Sequence, residues 1–222
     1  MILAFETATD VCSIAFENDE GKVFEKRIQG KGVHSDNVFL YTQALMQEHH
    51  FKMADLEAVL ISNGPGSYTG LRIGASAVKG MLFGLDVDLY TVNTLAGFAQ
   101  SHIDEVGEGQ IHAIIDARRS HLYHQAFKKI DGLMATTDAI IKEISDFKNE
   151  IQNGDIIVGT GTERFTLPAG KIAKVFDSNS ISAIHLISLF NSQPSASFFN
   201  KTSLEELNPN YITSNQVNNS TA

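Results

Sequence analysis

A single cysteine, Cys12, is present in 222 residues, so no disulfide can form within the chain. That fits a reducing compartment. Cys12 lies in Val11-Cys12-Ser13-Ile14-Ala15-Phe16, which reads as a strand with small buried residues and not as the setting of a nucleophile. No run of lysines or arginines occurs and the formal net charge is −9, so the chain lacks the electrostatic footprint of a stand-alone nucleic-acid binder. Contact with nucleic acid would need a helper. No basic segment precedes the apolar start, and Glu6 and Asp10 interrupt it, so neither a signal peptide nor a membrane span is expected and the expected location is cytoplasmic. A third metal ligand at useful spacing is also missing beside His49-His50 and beside His121 with His124, which leaves both as surface or strand polarity. What remains, 43% hydrophobic and 19% charged residues, is ordinary for one large soluble domain or two small lobes.

The densest signal is Ser62-Asn63-Gly64-Pro65-Gly66-Ser67-Tyr68-Thr69-Gly70-Leu71-Arg72-Ile73-Gly74, continuing to Lys79-Gly80. Residues 58–62 read as a buried strand and 63–67 as a turn, because Gly-Pro-Gly supplies one locked and two permissive backbone positions. A helix is predicted to follow, with Gly70, Gly74, Ala77, Gly80 and Gly84 on one face and Leu71, Ala75, Val78, Leu82 and Leu85 on another. Interior glycines at 74, 80 and 84 would together cost roughly 2.5–3 kcal/mol relative to alanine unless close packing offsets them. Two readings stay open: the glycine face is pressed onto its own sheet, or it receives a helix from a partner protein.

Three strands at 2–7, 11–17 and 22–29 suggest an antiparallel meander. A helix capped by Ser35 or Asp36 and lined by Val38, Phe39, Leu40, Tyr41, Ala44, Leu45 and Met46 follows, ending near His49-His50. Strand 57–62, the glycine helix, a strand at 88–92 and a helix from Thr94 to His102 complete a first lobe, residues 1–104. The acidic, glycine-containing stretch 104–109 marks a boundary, with the second lobe spanning 105–222. There the opening pattern recurs, as strand 111–116, a turn at Ala117-Arg118-Arg119-Ser120 and a returning strand 121–127. A helix at 138–146, a strand at 155–158 ending in Gly159-Thr160-Gly161, and a helix at 181–191 follow, with a polar, frayed tail from about 215.

Known catalytic motifs do not fit. Gly64 to Gly70 reads GxGxxxG, one residue too long for a dinucleotide fingerprint, and Pro65 lies inside it. The P-loop and the esterase elbow both fail on spacing. The first hairpin, Phe5-Glu6-Thr7-Ala8-Thr9, has the acid expected of an ATP-clamping turn and lacks the glycine. Arg118 and Arg119 at the equivalent second turn could pair with phosphate or with a partner carboxylate.

The glycine stretch, together with Ile2-Leu3-Ala4-Phe5-Glu6-Thr7, His34-Ser35-Asp36, Ile115-Asp116-Ala117-Arg118-Arg119, Tyr123 and Pro209-Asn210-Tyr211-Ile212, resembles the TsaB (YeaZ) family. That family supplies a bacterial partner subunit in tRNA threonylcarbamoyladenosine synthesis and belongs to the actin-like, sugar kinase and Hsp70 superfamily. The resemblance implies an α/β, two-lobed actin-like fold with a duplicated RNase H-like core, in which mixed sheets are flanked by helices. The chain departs from the family pattern at Glu6 and Ala8 (usually Asp and Ser), Asp36 (Glu), His121 (Glu) and Thr213 (Arg). Val38, four residues after His34, breaks the histidine pair with which the catalytic paralogue TsaD holds a metal.

The resemblance implies a non-catalytic scaffold that pairs through its first two helices with a TsaD-type subunit and recruits a TsaE-type ATPase. The complex transfers threonylcarbamoyl to the adenosine beside the anticodon of tRNAs reading ANN codons. ATP and metal are then expected on the partner subunits and no cofactor or metal on this chain alone. The tRNA is met only through the complex, and a homodimer forms when the partner is missing. The implied interface is Val38, Phe39, Tyr41, Leu45, Arg72, Gly74, Ala77, Gly80, Met81 and Gly84. Glu6, Thr7, Arg118, Arg119, Gly159 and Gly161 are candidates for contact with phosphate, a nucleotide or an acidic partner. Two competing readings are an enzyme acting alone, as an ATP-binding actin-like phosphotransferase or a glycopeptidase, and a plain structural homodimer unrelated to tRNA.

Overall fold

In a computed structural model, residues 1–192 and 198–212 are described. The predicted tail from about 215 lies outside them. The meander forms from β1 (Ile2–Glu6), β2 (Val11–Glu17) and β3 (Val23–Gln29), paired antiparallel in sequence order. β1 is buried on both faces: Ile2 and Ala4 point into one core, Leu3 and Phe5 into another. Such a strand belongs at the middle of a sheet, and β4 (Ala58–Ser62) pairs with it in parallel on its other side, followed by β5 (Asp88–Val92).

Between these strands run α1 (His34–His49) and α2 (Tyr68–Leu82), which pack on the sheet face formed by Leu3, Phe5, Ile14, Val59 and Ile61. α3 (Thr94–Gln100) follows β5 and is buried at every residue, because it lies between two sheets. Its Asn93 cap accepts from the amides of Leu95 and Ala96.

The second sheet begins with β6 (Ile111–Asp116) and β7 (His121–Lys129), an antiparallel pair, with β8 (Leu133–Ala135) beside β7. β9 (Ile140–Glu143) also pairs with β7, and α4 (Ile144–Glu150) follows it. The expected helix over 138–146 therefore starts six residues late. Ile140 and Ile141 are β-branched, and the open edge of β7 gives them a ladder that an isolated helical turn could not match. β10 (Ile156–Gly159) pairs in parallel with β6, and β11 (Lys174–Phe176) in parallel with β10. α5 (Ile184–Asn191) then packs beside α3, so close that a Cβ at Gly97 would strike Leu186.

The strand orders β5-β4-β1-β2-β3 and β11-β10-β6-β7-β8 repeat one topology, which is the duplication expected of the actin-like fold. The layers run α1 and α2, first sheet, α3 and α5, second sheet, α4. The chain does not stay in the second half after residue 105. β12 (Phe199–Thr202) returns to the first sheet and pairs antiparallel with β5, and the Asn210 amide donates to the Asn63 carbonyl at 2.7 Å. The acidic stretch 104–109 is likewise anchored, with Val106 in the shared core and Gly109 against the Gly154 carbonyl.

Candidate partner interface

The glycine motif is explained first by the chain itself. Ser67 caps α2, its Oγ accepting from the Gly70 amide at 3.2 Å, and its own amide donates to the Ala8 carbonyl at 2.6 Å. A Cβ at Gly66 would collide with the Ala8 carbonyl, one at Gly70 with the Thr7 carbonyl, and one at Gly74 with the Thr7 hydroxyl. At Gly64, where φ is +114°, it would meet the Asn210 carbonyl. The start of α2 is thus pressed onto the turn between β1 and β2, the first of the two readings left open for this face. Gly80 is different, since a Cβ there would meet nothing within 4 Å. Gly84 is not helical: it lies beyond Leu82 with φ +78°, so its glycine serves the helix exit and carries no helix-interior cost.

The residues assigned to the interface therefore divide. Val38, Leu45, Gly74 and Ala77 are buried within the chain and shape the helix pair from beneath. Tyr41 and Met81 are half-buried at its margin. Phe39, Arg72, Gly80 and Gly84 are open to solvent. On and just beyond these two helices four large apolar residues outside that set are also exposed: Leu40 at 57%, Tyr68 at 55%, Phe83 at 85% and Leu85, beyond the helix end and not on its apolar face as expected, beside Phe39 at 52%. Phe83, directly after α2, was missed because it continues an apolar run, and nothing in the sequence separates an inward from an outward phenylalanine at a helix exit.

α1 starts differently from expectation. Val33, not Ser35 or Asp36, occupies the cap position and makes no side-chain bond. His34 is instead drawn under the helix, where its Nε2 lies 3.2 Å from the Val11 carbonyl oxygen, and burial lowers its pKa. Asp36 remains in the first turn, where a carboxylate favours the helix dipole. His49 stacks on Phe24 at 3.8 Å, and His50 closes the helix in a left-handed conformation.

The two hairpin turns assigned to phosphate or acidic contacts are both filled by the chain. In the first, Glu6 is buried, its Oε1 accepts from the Ala8 amide at 2.7 Å, and neither its Oε2 nor the Thr7 hydroxyl has a partner among the described residues. Burial raises the Glu6 pKa to about 7, outweighing the Ala8 amide and the neighbouring Ser62 hydroxyl. Burial also pushes the Cys12 thiol up to about 12, with Glu6 adding to it, which leaves an inert thiol.

In the second turn Arg118 and Arg119 both have positive φ, 69° and 53°. Arg164 holds them there, its Nη1 on Asp116 Oδ1 at 2.6 Å and its Nη2 donating to the Arg119 carbonyl. The side chains of Arg118 and Arg119 are exposed. Gly159 and Gly161 are needed for packing, because a Cβ at Gly159 would overlap the Ile114 carbonyl and one at Gly161 would crowd Leu122 and Asp116.

A polar cluster that sequence reading missed lies deeper in the second sheet. His112 Nε2 is 3.1 Å from Asp155 Oδ2, and His112 Nδ1 is 2.9 Å from His124 Nε2. All three side chains are buried. Burial drives the His124 pKa down to about 2, with His112 and Lys142 contributing. Burial alone would raise the Asp155 carboxyl, but bonds from His112 and from the Gln110 and Gln152 amides hold it below the usual range. Of His121 and His124, expected as surface or strand polarity, His124 is buried in this cluster while His121 sits at the strand end, 3.8 Å from Glu143. The available signal was His112 itself, a lone polar residue inside an apolar strand.

A family model described as TsaD: tRNA N6-adenosine threonylcarbamoyltransferase matches residues 30–213. The tRNA threonylcarbamoyladenosine biosynthesis protein TsaB of Escherichia coli K12 is 30% identical over 165 residues, covering 72% of this chain and 71% of that protein. The chain belongs to the TsaB family. The Bacillus subtilis TsaB protein is also 30% identical, over 60% of this chain and 57% of its own length. The structure titled YeaZ from Pseudomonas aeruginosa superposes with a TM-score of 0.78 at 23% identity, covering 95% of this chain and 99% of that one, a likeness of fold. Among the described residues no helix is long and apolar enough to cross a membrane.

Proposed function

We propose that this TsaB-family chain serves tRNA threonylcarbamoyladenosine biosynthesis as a non-catalytic subunit, and that α1 and α2 form the surface covered by a TsaD-type partner. The observation that carries the reading is the exposure of Phe39 and Leu40 on α1 and of Phe83 at the exit of α2, together with the open space beside Gly80 on α2. Solvent gains nothing from such side chains, whereas a partner helix can approach closely at a glycine and bury them. The curated relatives named for this pathway support the biological setting.

On this reading the TsaD-type subunit carries out threonylcarbamoyl transfer and holds the metal, a TsaE-type ATPase joins the assembly, and tRNA is met only by the assembled complex. ATP is used on the partner subunits in the cytoplasm. The two hairpin turns support the assignment of chemistry to the partner, since the Ala8 and Arg118 amides donate to Glu6 and Asp116 and the neighbouring Gly66, Gly70, Gly159 and Gly161 are pressed against the chain itself. Without its partner the same surface pairs with a second copy of itself.

Co-expression with the TsaD homologue of the same organism tests the proposal. Co-elution on sizing, and loss of modified adenosine when this chain is depleted, are expected. A chain that stays monomeric beside the TsaD homologue, or that binds ATP and turns over substrate unaided, overturns it.

A further inference from the structure

Arg72 stands in the exposed strip of α2, and its orientation is set by a distant part of the chain. Its guanidinium lies 3.9 Å over the ring of Tyr68, one helical turn earlier. Its Nε donates to the Tyr211 hydroxyl at 3.1 Å, and the Tyr68 and Tyr211 rings lie 5.0 Å apart. Tyr211 arrives on the C-terminal segment, which is fixed by the bond from the Asn210 amide to the Asn63 carbonyl and by the absence of a side chain at Gly64. A long cation that would otherwise sample many rotamers is thus held over one tyrosine ring and by the hydroxyl of the other.

The terminal nitrogens of that guanidinium form no ion pair among the described residues. Lys79 is the only other charged residue of α2, so the helix presents positive charge and no carboxylate. On α1, Asp36 lies in the first turn, and Glu48 is engaged by Lys26 at 2.7 Å. With Nε spent on Tyr211, the two Nη groups remain as a fork that matches a carboxylate in two parallel hydrogen bonds. Arginine and tyrosine at a desolvated contact are the residue types that dominate interface energetics.

We propose that Arg72 receives a carboxylate of the protein that covers α1 and α2, and that Tyr211 is a positioning residue through which the C-terminal segment tunes this docking. The inference rests on the partner reading above. Holding the arginine in place before binding removes an ordering cost that amounts to roughly 2- to 10-fold in affinity per side chain.

The test uses the full chain and its TsaD homologue in calorimetry at about 50 mM and about 300 mM salt. Arg72→Ala weakens binding roughly 10- to 100-fold and flattens the salt dependence; Arg72→Lys recovers only part, because the fork is lost. Tyr211→Phe, which keeps the ring and removes the hydroxyl, weakens binding roughly 2- to 10-fold and has no further effect in the Arg72→Ala background. A purely structural role for Tyr211 would cost the same in both backgrounds, and that result overturns the proposal. So does Arg72→Ala binding at full affinity while Phe83→Asp fails to bind, an outcome that leaves the partner reading intact. If the unaltered chain does not bind the TsaD homologue at all, the partner reading falls and this inference with it.

Discussion

Replacing Glu6 with glutamine should abolish a specific part of the pH dependence of folding. The Glu6 carboxyl is buried, its pKa rises from an ordinary 4.5 to about 7, and burial is the dominant cause. Between those two values the folded protein keeps a proton that the unfolded chain has released. Stability from this group is therefore complete below pH 4.5, falls as pH rises through the window, and is lost above about 7. At about 1.4 kcal/mol per pH unit the loss is about 3 kcal/mol, a large share of the stability of a domain this size. Glu6→Gln keeps an oxygen for the Ala8 amide and cannot ionise, so its stability should not decline across this window. Urea unfolding of both proteins at about pH 5 and about pH 8 reads the effect as a difference of differences. Groups that titrate in the same range, His34, His124 and His185 among them, are shared by both proteins and cancel. Equal slopes for the two proteins would show that Glu6 is already ionised in the fold, and the account of a buried neutral carboxyl would be refuted.

Other expectations concern the helices and the second sheet. Gly70→Ala should cost on the order of 2–3 kcal/mol in chemical denaturation, because the new methyl meets backbone and not a movable side chain. Gly80→Ala, in open space, should stabilise the free chain by about 0.5–1 kcal/mol, while Gly80→Leu should block the partner in co-elution. Phe83→Asp should leave the melting temperature unchanged and weaken partner binding by roughly 10- to 100-fold, the cost of leaving one phenylalanine unburied. Acid should destabilise the protein below about pH 6.5, since the unfolded chain takes up protons that His124, near 2, and His185, near 4, refuse when folded. His124→Leu should flatten that acid limb in a pH series of unfolding midpoints.

Much of this architecture could be read from residue pattern, and the failures share a cause. The meander and the strands at 58–62 and 88–92 follow from apolar runs bounded by turns, signals local to each segment. Ile140-Ile141 was misread because its partner, the β7 edge, is supplied by tertiary structure. β12 was missed for the same reason, as Phe199–Thr202 becomes a strand by pairing with β5, over a hundred residues earlier. At the candidate interface, periodicity found the two helices but could not tell which apolar residues face inward. Val38 and Leu45 share their helix with Phe39 and Leu40, and only packing separates the buried pair from the exposed one.

The same contrast bears on why a duplicated fold would present its outer helices. In each lobe the turn after the first strand is where backbone amides could cradle a ligand, and in each the chain has closed that place in its own way. The first lobe does so with the glycine loop, whose Ser67 amide and missing side chains at Gly66 and Gly70 clamp Thr7 and Ala8. The second does so with Arg164, which takes up Asp116 and the Arg119 carbonyl. A glycine-rich segment that in other proteins lets a phosphate approach backbone here lets backbone approach backbone. The close fit at Gly70 and Gly74 then fixes the axis of α2 on the sheet, and a fixed axis is what allows Phe83, Gly80 and Arg72 to stand at defined places on the outer side. Rigidity lost from beneath, as in Gly74→Ala, should therefore weaken partner binding even though Gly74 is buried within the free chain.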